Sequence, residues 1–472
     1  MTASPALDLA ALAGLSSETW LGFLAGRRWF PAGARAVKLV GAAKLGEDAA
    51  LCLLAAEAER PWTTQVLLRA QMSEGTGPEG HVPKRSIELG GGVELVEASD
   101  APEALLALAA GLRDGASFAG QSARWTARAS AGLKDAAAPT SVRLIGGEQS
   151  NTAAVLGEAG VFKLFRRIEV GRHPELELGR FLTARGFPHA PPLLAELTVD
   201  TGEGAAAAGV LHGFLPGRVD GWAHALACAD MTGPARALGA ATRAMHEALT
   251  TDDEASGMAT RAIVQADRAR WVVGLRQTAA AALGRLGQRY RGLQPELRAL
   301  AEVVATRSEA LLADAEERLR TAAGVQIRIH GDYHLGQTLY DPESGAWSIL
   351  DFEGEPTRPL AERSLRQLPL RDVAGMLRSF AYAGMVGKGG PAWEAATSAA
   401  FLAGYDAAAT PGSPLPAARE SPLLRACVIE RSFHELAYEL DYRPDFTWVP
   451  LQSLVALSEA VPLPAWPRAS QF

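Results

Sequence analysis

Cysteine is scarce: Cys52, Cys228 and Cys427 are the only three in 472 residues. They lie far apart, so neither a zinc-binding spacing nor a disulfide framework can be built from them. The pattern fits buried small side chains in a reducing compartment. Basic charge is not in excess either. Lys and Arg number 46 against 53 Asp and Glu, a net charge of −7, which argues against a general nucleic-acid binder. No apolar run approaches the ~18 residues of a membrane span. The opening MTASPALDLA has neither the basic nor the apolar region of a secretory signal. A cytoplasmic protein is expected, with no membrane and no nucleic-acid partner. No fixed-period repeat is present, which excludes a solenoid.

The remainder is ordinary globular composition, 48% hydrophobic and 21% charged. The length suits several domains or one large bilobal enzyme. The first hundred residues read as short strands broken by Gly and Pro, such as ALCLLAA and WTTQVLLRAQM, with a surface loop over 73–85. DAPEALLALAAGLRDG reads as a helix with Asp100 as N-cap and Pro102 in its first turn. SVRLIG, TAAVLG and GVFKLFRRI alternate like strands of one antiparallel sheet. PELELGRFLTARG is a helix with Gly186 near its end. Beyond Gly213 the chain is Ala-rich and helical, with helical spacing over 232–249, 262–287 and 291–322. Two apolar runs interrupt it, VQIRIHGDYHLGQTLY and AWSILDFEGEP, and read as a strand pair framing a loop. The layout is α+β and bilobal.

The densest chemistry lies in His330-Gly331-Asp332-Tyr333-His334-Leu335-Gly336-Gln337 and the later Asp351-Phe352-Glu353. Phosphoryl transfer needs a carboxylate beside the acceptor hydroxyl and oxygen ligands that hold Mg2+ against the nucleotide phosphates. Asp332 and Gln337 stand at the spacing of a catalytic carboxylate and a metal-binding amide. Asp351, behind an apolar run, stands where a second metal ligand belongs. A lone HGD would be only a turn. His330 and His334 have a zinc-pair spacing, but Gly331 breaks the helix that such a pair requires and no third ligand is evident. Upstream, Gly146-Gly147-Glu148-Gln149-Ser150-Asn151-Thr152 lies between two strands. Alone it is a polar hairpin turn; in this company it can fold over phosphates through backbone N–H groups and the Ser150 and Asn151 side chains. Lys163, flanked by apolar residues on the next strand, requires a phosphate or a buried partner. The helix after it offers Glu175 and Glu177.

The chain resembles the maltokinases, bacterial ATP-dependent sugar kinases related to the aminoglycoside phosphotransferases. The resemblance spans nearly the whole chain: GRRWF near the start, GEQSNT at 147–152, FKLFRR at 162–167, PELELGRFL at 174–182, DGW at 220–222, HGDYHLGQ, ILDFEGEPTRPLAER, and LRDVAGMLRSFAYA at 370–383. It implies a eukaryotic-protein-kinase-like fold with a cap region at 1–96, a nucleotide-binding sheet over 97–213 and a helical C-lobe from 214 to 472. It implies ATP and Mg2+ as cofactors, with Asp332 as the catalytic base and Gln337 and Asp351 as metal ligands. Of the two helix carboxylates it assigns Glu177 to Lys163. Gln149, Ser150 and Asn151 would hold the phosphates, and the hinge near His212-Gly213-Phe214 would meet adenine. A monomer is implied, with trehalose synthase as a candidate partner of the cap.

The sequence departs from that family on its late helix. There the family has a lysine and repeated Tyr-Glu pairs; here Arg431, His434-Glu435, Tyr438-Glu439 and Tyr442 recur at i, i+3, i+4 along one face. Planar hydrogen-bonding groups and aromatic faces of this kind suit a sugar, so Arg431, His434, Glu435, Tyr438 and Glu439 are the candidate acceptor residues. A solvated face laced with ion pairs is the plain alternative. Maltose, phosphorylated at the anomeric hydroxyl, is the acceptor that the resemblance implies. The altered positions keep open glucosamine, which a related actinobacterial group phosphorylates at O6, and an aminoglycoside. A non-catalytic kinase-like partner protein is the reading from another class.

Overall fold

Apolar residues alternating between Gly and Pro stops fold the first part of the chain into sheets. The structure is a computed structural model that describes residues 5–73, 85–135, 137–146, 151–387 and 389–458. The expected loop at 73–85 and residues 147–150, with Gln149 and Ser150, therefore fall largely or wholly outside the described residues. Contacts divide the chain into two compact units. One holds 1–186, 191–216 and 359–362; the other holds 187–190, 217–358 and 363–472.

The first unit carries two antiparallel sheets. Five strands lie in the spatial order Ala36–Leu45, Ala49–Glu57, Trp62–Met72, Val93–Glu97, Ser86–Gly90. Seven more run Ser117–Ala119, Arg124–Ala129, Leu193–Asp200, Ala205–His212, Gly160–Leu164, Thr152–Leu156, Val142–Leu144. One apolar core joins them, with Leu51, Leu53 and Leu67 of the first sheet beside Trp125, Phe162, Leu164 and Leu197 of the second. The expected helix after residue 100 spans Ala104–Asp114. Glu103 is its N-terminal residue, and Asp100 instead lies 3.6 Å from Arg27. Gly115, with φ 65°, ends it in the left-handed conformation that glycine adopts without steric cost.

The second unit is mostly helical. Thr232–Ala248, Gln265–Arg289 and Pro295–Arg320 match the three expected helical spans to within a few residues. Helix Thr232–Ala248 meets Gly390–Ala407 closely, because Gly239 and Gly404 lie against the opposing backbone; a Cβ at either would come within 2.0 Å of a carbonyl oxygen. The two apolar runs pair as expected, through the end of the first and the start of the second. Val325–Gln326 pairs with Arg261–Ala262, whereas Thr338–Tyr340 pairs with Trp347–Ile349. The strand pair frames the turn at 341–346, and the HGD segment precedes it. No described helix is long and apolar enough to cross a membrane.

Candidate active site

Candidate residues occur in each unit, and each group is built locally. In the first, Lys163 lies on the strand Gly160–Leu164, opposite Ala153 on one side and Val210 on the other. The following helix, Pro174–Ala184, starts with proline and carries Glu175 and Glu177 in its first turn, where the helix dipole favours carboxylates. Glu175 meets Lys163: its Oε2 is 3.6 Å from Nζ, and its side chain is 2% exposed. This corrects the assignment of Glu177, which lies 3.5 Å from Arg172. The reason is helical phase. Glu175 shares the buried stripe of Leu178, Gly179 and Leu182, and Glu177 sits beside it. Asn151, expected over phosphates, also bonds the backbone nearby. Its Oδ1 accepts the Arg166 backbone N–H at 3.1 Å, within a sheet edge where Arg166 also donates to Thr152 Oγ1 and pairs with the buried Glu97. His212 ends the strand Ala205–His212, and its side chain reaches Glu175. Phe214 is 38% exposed.

In the second unit, the HGD loop is pinned from behind. Asp372, on the helix Leu370–Val386, is buried, and its carboxylate accepts the backbone N–H of His330 at 2.8 Å and of Gly331 at 2.9 Å. His246 adds a third contact to it at 3.1 Å and meets Tyr405 Oη through its other nitrogen. Burial works against ionisation of Asp372, but His246, His330 and the Gly331 N–H outweigh it and hold the carboxyl below its usual range. His330 Nε2 lies 2.7 Å from the Leu350 carbonyl, and its Nδ1 lies 3.4 Å from the Asp332 N–H. Those contacts fit a ring protonated on Nε2. Gly331 turns the chain at φ 84°. Tyr333 points inward to Thr242 and Leu335 N–H bonds Ser379, so the alternate residues Asp332 and His334 are left partly accessible.

The hairpin register then sets the metal-site candidates. Pairing of Thr338 with Ile349 puts Gln337 beside Leu350, whose N–H bonds the Gln337 carbonyl. The next residue, Asp351, adopts φ 61°, and Gln337 Nε2 lies 3.1 Å from its Oδ2. Few non-glycine residues hold such a backbone conformation without a functional reason. One carboxylate and one amide oxygen are hard donors that fit Mg2+, which fills its other positions with water and phosphate. No group of three His, Cys, Asp or Glu suited to a metal occurs among the described residues.

The helix Pro422–Tyr442 supplies the expected acceptor face, and part of it is already occupied. Arg431 lies 3.3 Å from Asp332 Oδ1, 3.4 Å from Glu355 and 3.5 Å from Glu435. His434 lies 3.2 Å from the same Glu355 oxygen. Burial disfavours the Glu355 anion, but His434 and Arg431 overcome this and hold its carboxyl far below the usual range. Glu435 faces inward to Arg378 at 2.8 Å. Glu439 also faces inward, to Tyr382 at 2.9 Å and to Arg443. Its second oxygen is buried with no hydrogen-bond partner, and burial pushes its carboxyl up. Tyr438 packs against Tyr442, with 4.9 Å between centroids and the rings tilted by 40°. Thus Arg431 and His434 adjoin Asp332 or its neighbour Glu355, whereas Glu435 and Glu439 belong mainly to the seam between helices. Sequence reasoning missed Asp372, His246 and Arg378. The usable signal was a charged residue at a buried helical position, as in LRDVAGMLRS.

A family model described as the phosphotransferase enzyme family matches residues 141–413. Among curated proteins, a glucosamine kinase of Streptacidiphilus jiangxiensis is 29% identical over 258 residues, covering 51% of this chain and 54% of that protein. A glucosamine kinase of Mycolicibacterium smegmatis is 29% identical over 253 residues, covering 51% of this chain and 58% of that protein. The chain therefore matches little more than half the length of these relatives. A solved glucosamine kinase in complex with glucosamine, ADP and inorganic phosphate superposes over 96% of this chain and 99% of its own, with a TM-score of 0.67 and 22% identity. That likeness establishes a shared kinase-like α+β fold.

Proposed function

Because the chain belongs to the phosphotransferase enzyme family, we propose that it is an ATP-dependent sugar kinase whose acceptor is an amino sugar, glucosamine before maltose. The observation that carries the phosphotransfer reading is the pinned loop. Asp372 fixes the backbone that presents Asp332, and the adjoining hairpin sets Gln337 against Asp351. Asp332 orients the acceptor hydroxyl and takes its proton as the new P–O bond forms. Lys163, held by Glu175, neutralises phosphate charge. Gln337 and Asp351 are the residues that would hold Mg2+, which supplies charge stabilisation to the phosphates.

The shift from maltose to glucosamine is supported by the relatives, named glucosamine kinases, and by the carboxylates about the acceptor helix. Glu355 Oε2 lies beside Arg431 and His434, and Arg431 also touches Asp332. An ammonium group is a natural partner for such a carboxylate. The maltose reading rests on the sequence resemblance alone. A coupled ADP-release assay over glucosamine, maltose, glucose, trehalose and aminoglycosides tests the proposal, with phosphorus NMR of the product. Glucosamine should give the highest kcat/KM. Faster turnover of maltose would overturn the acceptor assignment, and no sugar-dependent ADP release with any of them would overturn the kinase assignment.

A further inference from the structure

We infer that His212 is a positioning residue for the nucleotide phosphates, holding one oxygen of Glu175 so that the other stays aimed at Lys163. The inference rests on the phosphate-binding role proposed for Lys163. Strand register brings the three groups together. Val161 pairs with His212 and Lys163 pairs with Val210, so the two-residue repeat puts Lys163 and His212 on one face of the sheet as diagonal neighbours. The helix Pro174–Ala184 lies over that face. Glu175 presents Oε1 to His212 Nε2 at 3.0 Å and Oε2 to Lys163 Nζ at 3.6 Å. One turn later, Gly179 passes over the imidazole; a Cβ there would lie 3.7 Å from its Cε1.

The carboxylate needs this second partner. Its side chain is 2% exposed, so water cannot solvate an oxygen that Lys163 leaves unpaired. With His212 in place, Oε1 is occupied, and Glu175 cannot rotate to chelate the ammonium with both oxygens. Glu175 thus meets the Lys163 ammonium through one oxygen only. The imidazole has no competing bond: its Nδ1 is buried and makes no hydrogen bond among the described residues. Its proton thus belongs on Nε2, facing Glu175.

The test is steady-state kinetics on the full chain with ATP and acceptor varied separately, together with thermal unfolding. His212→Leu should raise the ATP KM about tenfold, the scale expected for a lost hydrogen bond to a charged group, and leave the acceptor KM within twofold. His212→Gln, whose amide reaches the position of Nε2, should recover most of the loss. His212→Asn, which is polar but too short, should not. In a Glu175→Gln background the His212→Leu change should add less than twofold, because the partner it positions is already altered. Equal rises in both KM values, full additivity in the double variant, or His212→Asn and His212→Gln behaving alike would overturn the inference. If Glu175→Gln itself leaves the ATP KM unchanged, the role proposed for Lys163 falls along with it. Should His212→Leu not fold, the Asn-against-Gln comparison decides alone.

Discussion

Replacing Asp372 by Asn changes one atom's chemistry at the point where the HGD loop is fixed. The carboxylate accepts two backbone N–H groups, from His330 and Gly331, and also meets His246. Asn keeps one acceptor oxygen and turns an NH2 group toward a donor, so at least one buried contact becomes repulsive. A hydrogen bond to a charged group contributes about 1.5–3 kcal/mol, and a buried unsatisfied donor costs about 1–3 kcal/mol. Together the substitution should remove roughly 3–5 kcal/mol from the helical unit, a large share of the ~5–15 kcal/mol typical of a domain. Because the loop backbone carries Asp332, kcat should fall with it, beyond any effect on ATP KM. The pH dependence has a definite sign. The folded carboxyl is held below its unfolded value, so its stabilisation is present above about pH 4 and is lost as pH falls through the lower folded value. The Asn variant lacks that group and should lose less stability than wild type over the same acid range. Urea unfolding at pH 7 and at pH 3, with kcat at saturation, measures all three effects. A variant within 1 kcal/mol of wild type at pH 7, with unaltered kcat, would refute the pinning argument.

Three further outcomes follow from the same geometry. Asp332→Asn should lower kcat by about 10²–10⁴-fold with ATP binding little changed; a variant retaining more than half its activity would reject the base assignment. Asp351→Ala should abolish Mg2+-dependent nucleotide binding in calorimetric titration, whereas Gln337→Asn, which keeps an amide oxygen, should still bind. Native protein should react rapidly with a thiol reagent at Cys228 alone. Cys52 and Cys427 are buried, and burial pushes the Cys427 thiol up to about 12, so both should react only after denaturant is added. Three fast equivalents would contradict the packing.

The HGD segment and its hairpin were legible because their spacing is local. HGDYHLGQ and the apolar run before Asp351 specify a loop and a strand, and the short hairpin between them brings Gln337 and Asp351 together. The long helices were legible for a similar reason, since Leu, Val and Trp recur at helical spacing within the Ala-rich stretches. Choices set by tertiary phase were harder. Which of Glu175 and Glu177 faces Lys163 depends on how the helix is rotated against the sheet, although the stripe of Leu178, Gly179 and Leu182 carried that information. Asp100 had the composition of an N-cap, but the helix starts later and Asp100 pairs with Arg27. Glu435 and Glu439 shared a helical face with Arg431 in projection. Arg378 and Tyr382, on a helix distant in sequence, draw them inward.

The seam between the helices Leu370–Val386 and Pro422–Tyr442 constrains how the proposed acceptor site can be redesigned. Arg371 with Glu430, Arg378 with Glu435 and Tyr382 with Glu439 close it at successive levels. The same first helix carries Asp372 and Ser379, which hold the HGD loop. Grafting a foreign acceptor helix would strand Arg378 without its anion and disturb the loop from behind. Altered sugar preference should therefore be reached through matched pairs of substitutions across the seam, and libraries that vary one helix at a time should return mostly poorly folded kinases rather than retargeted ones.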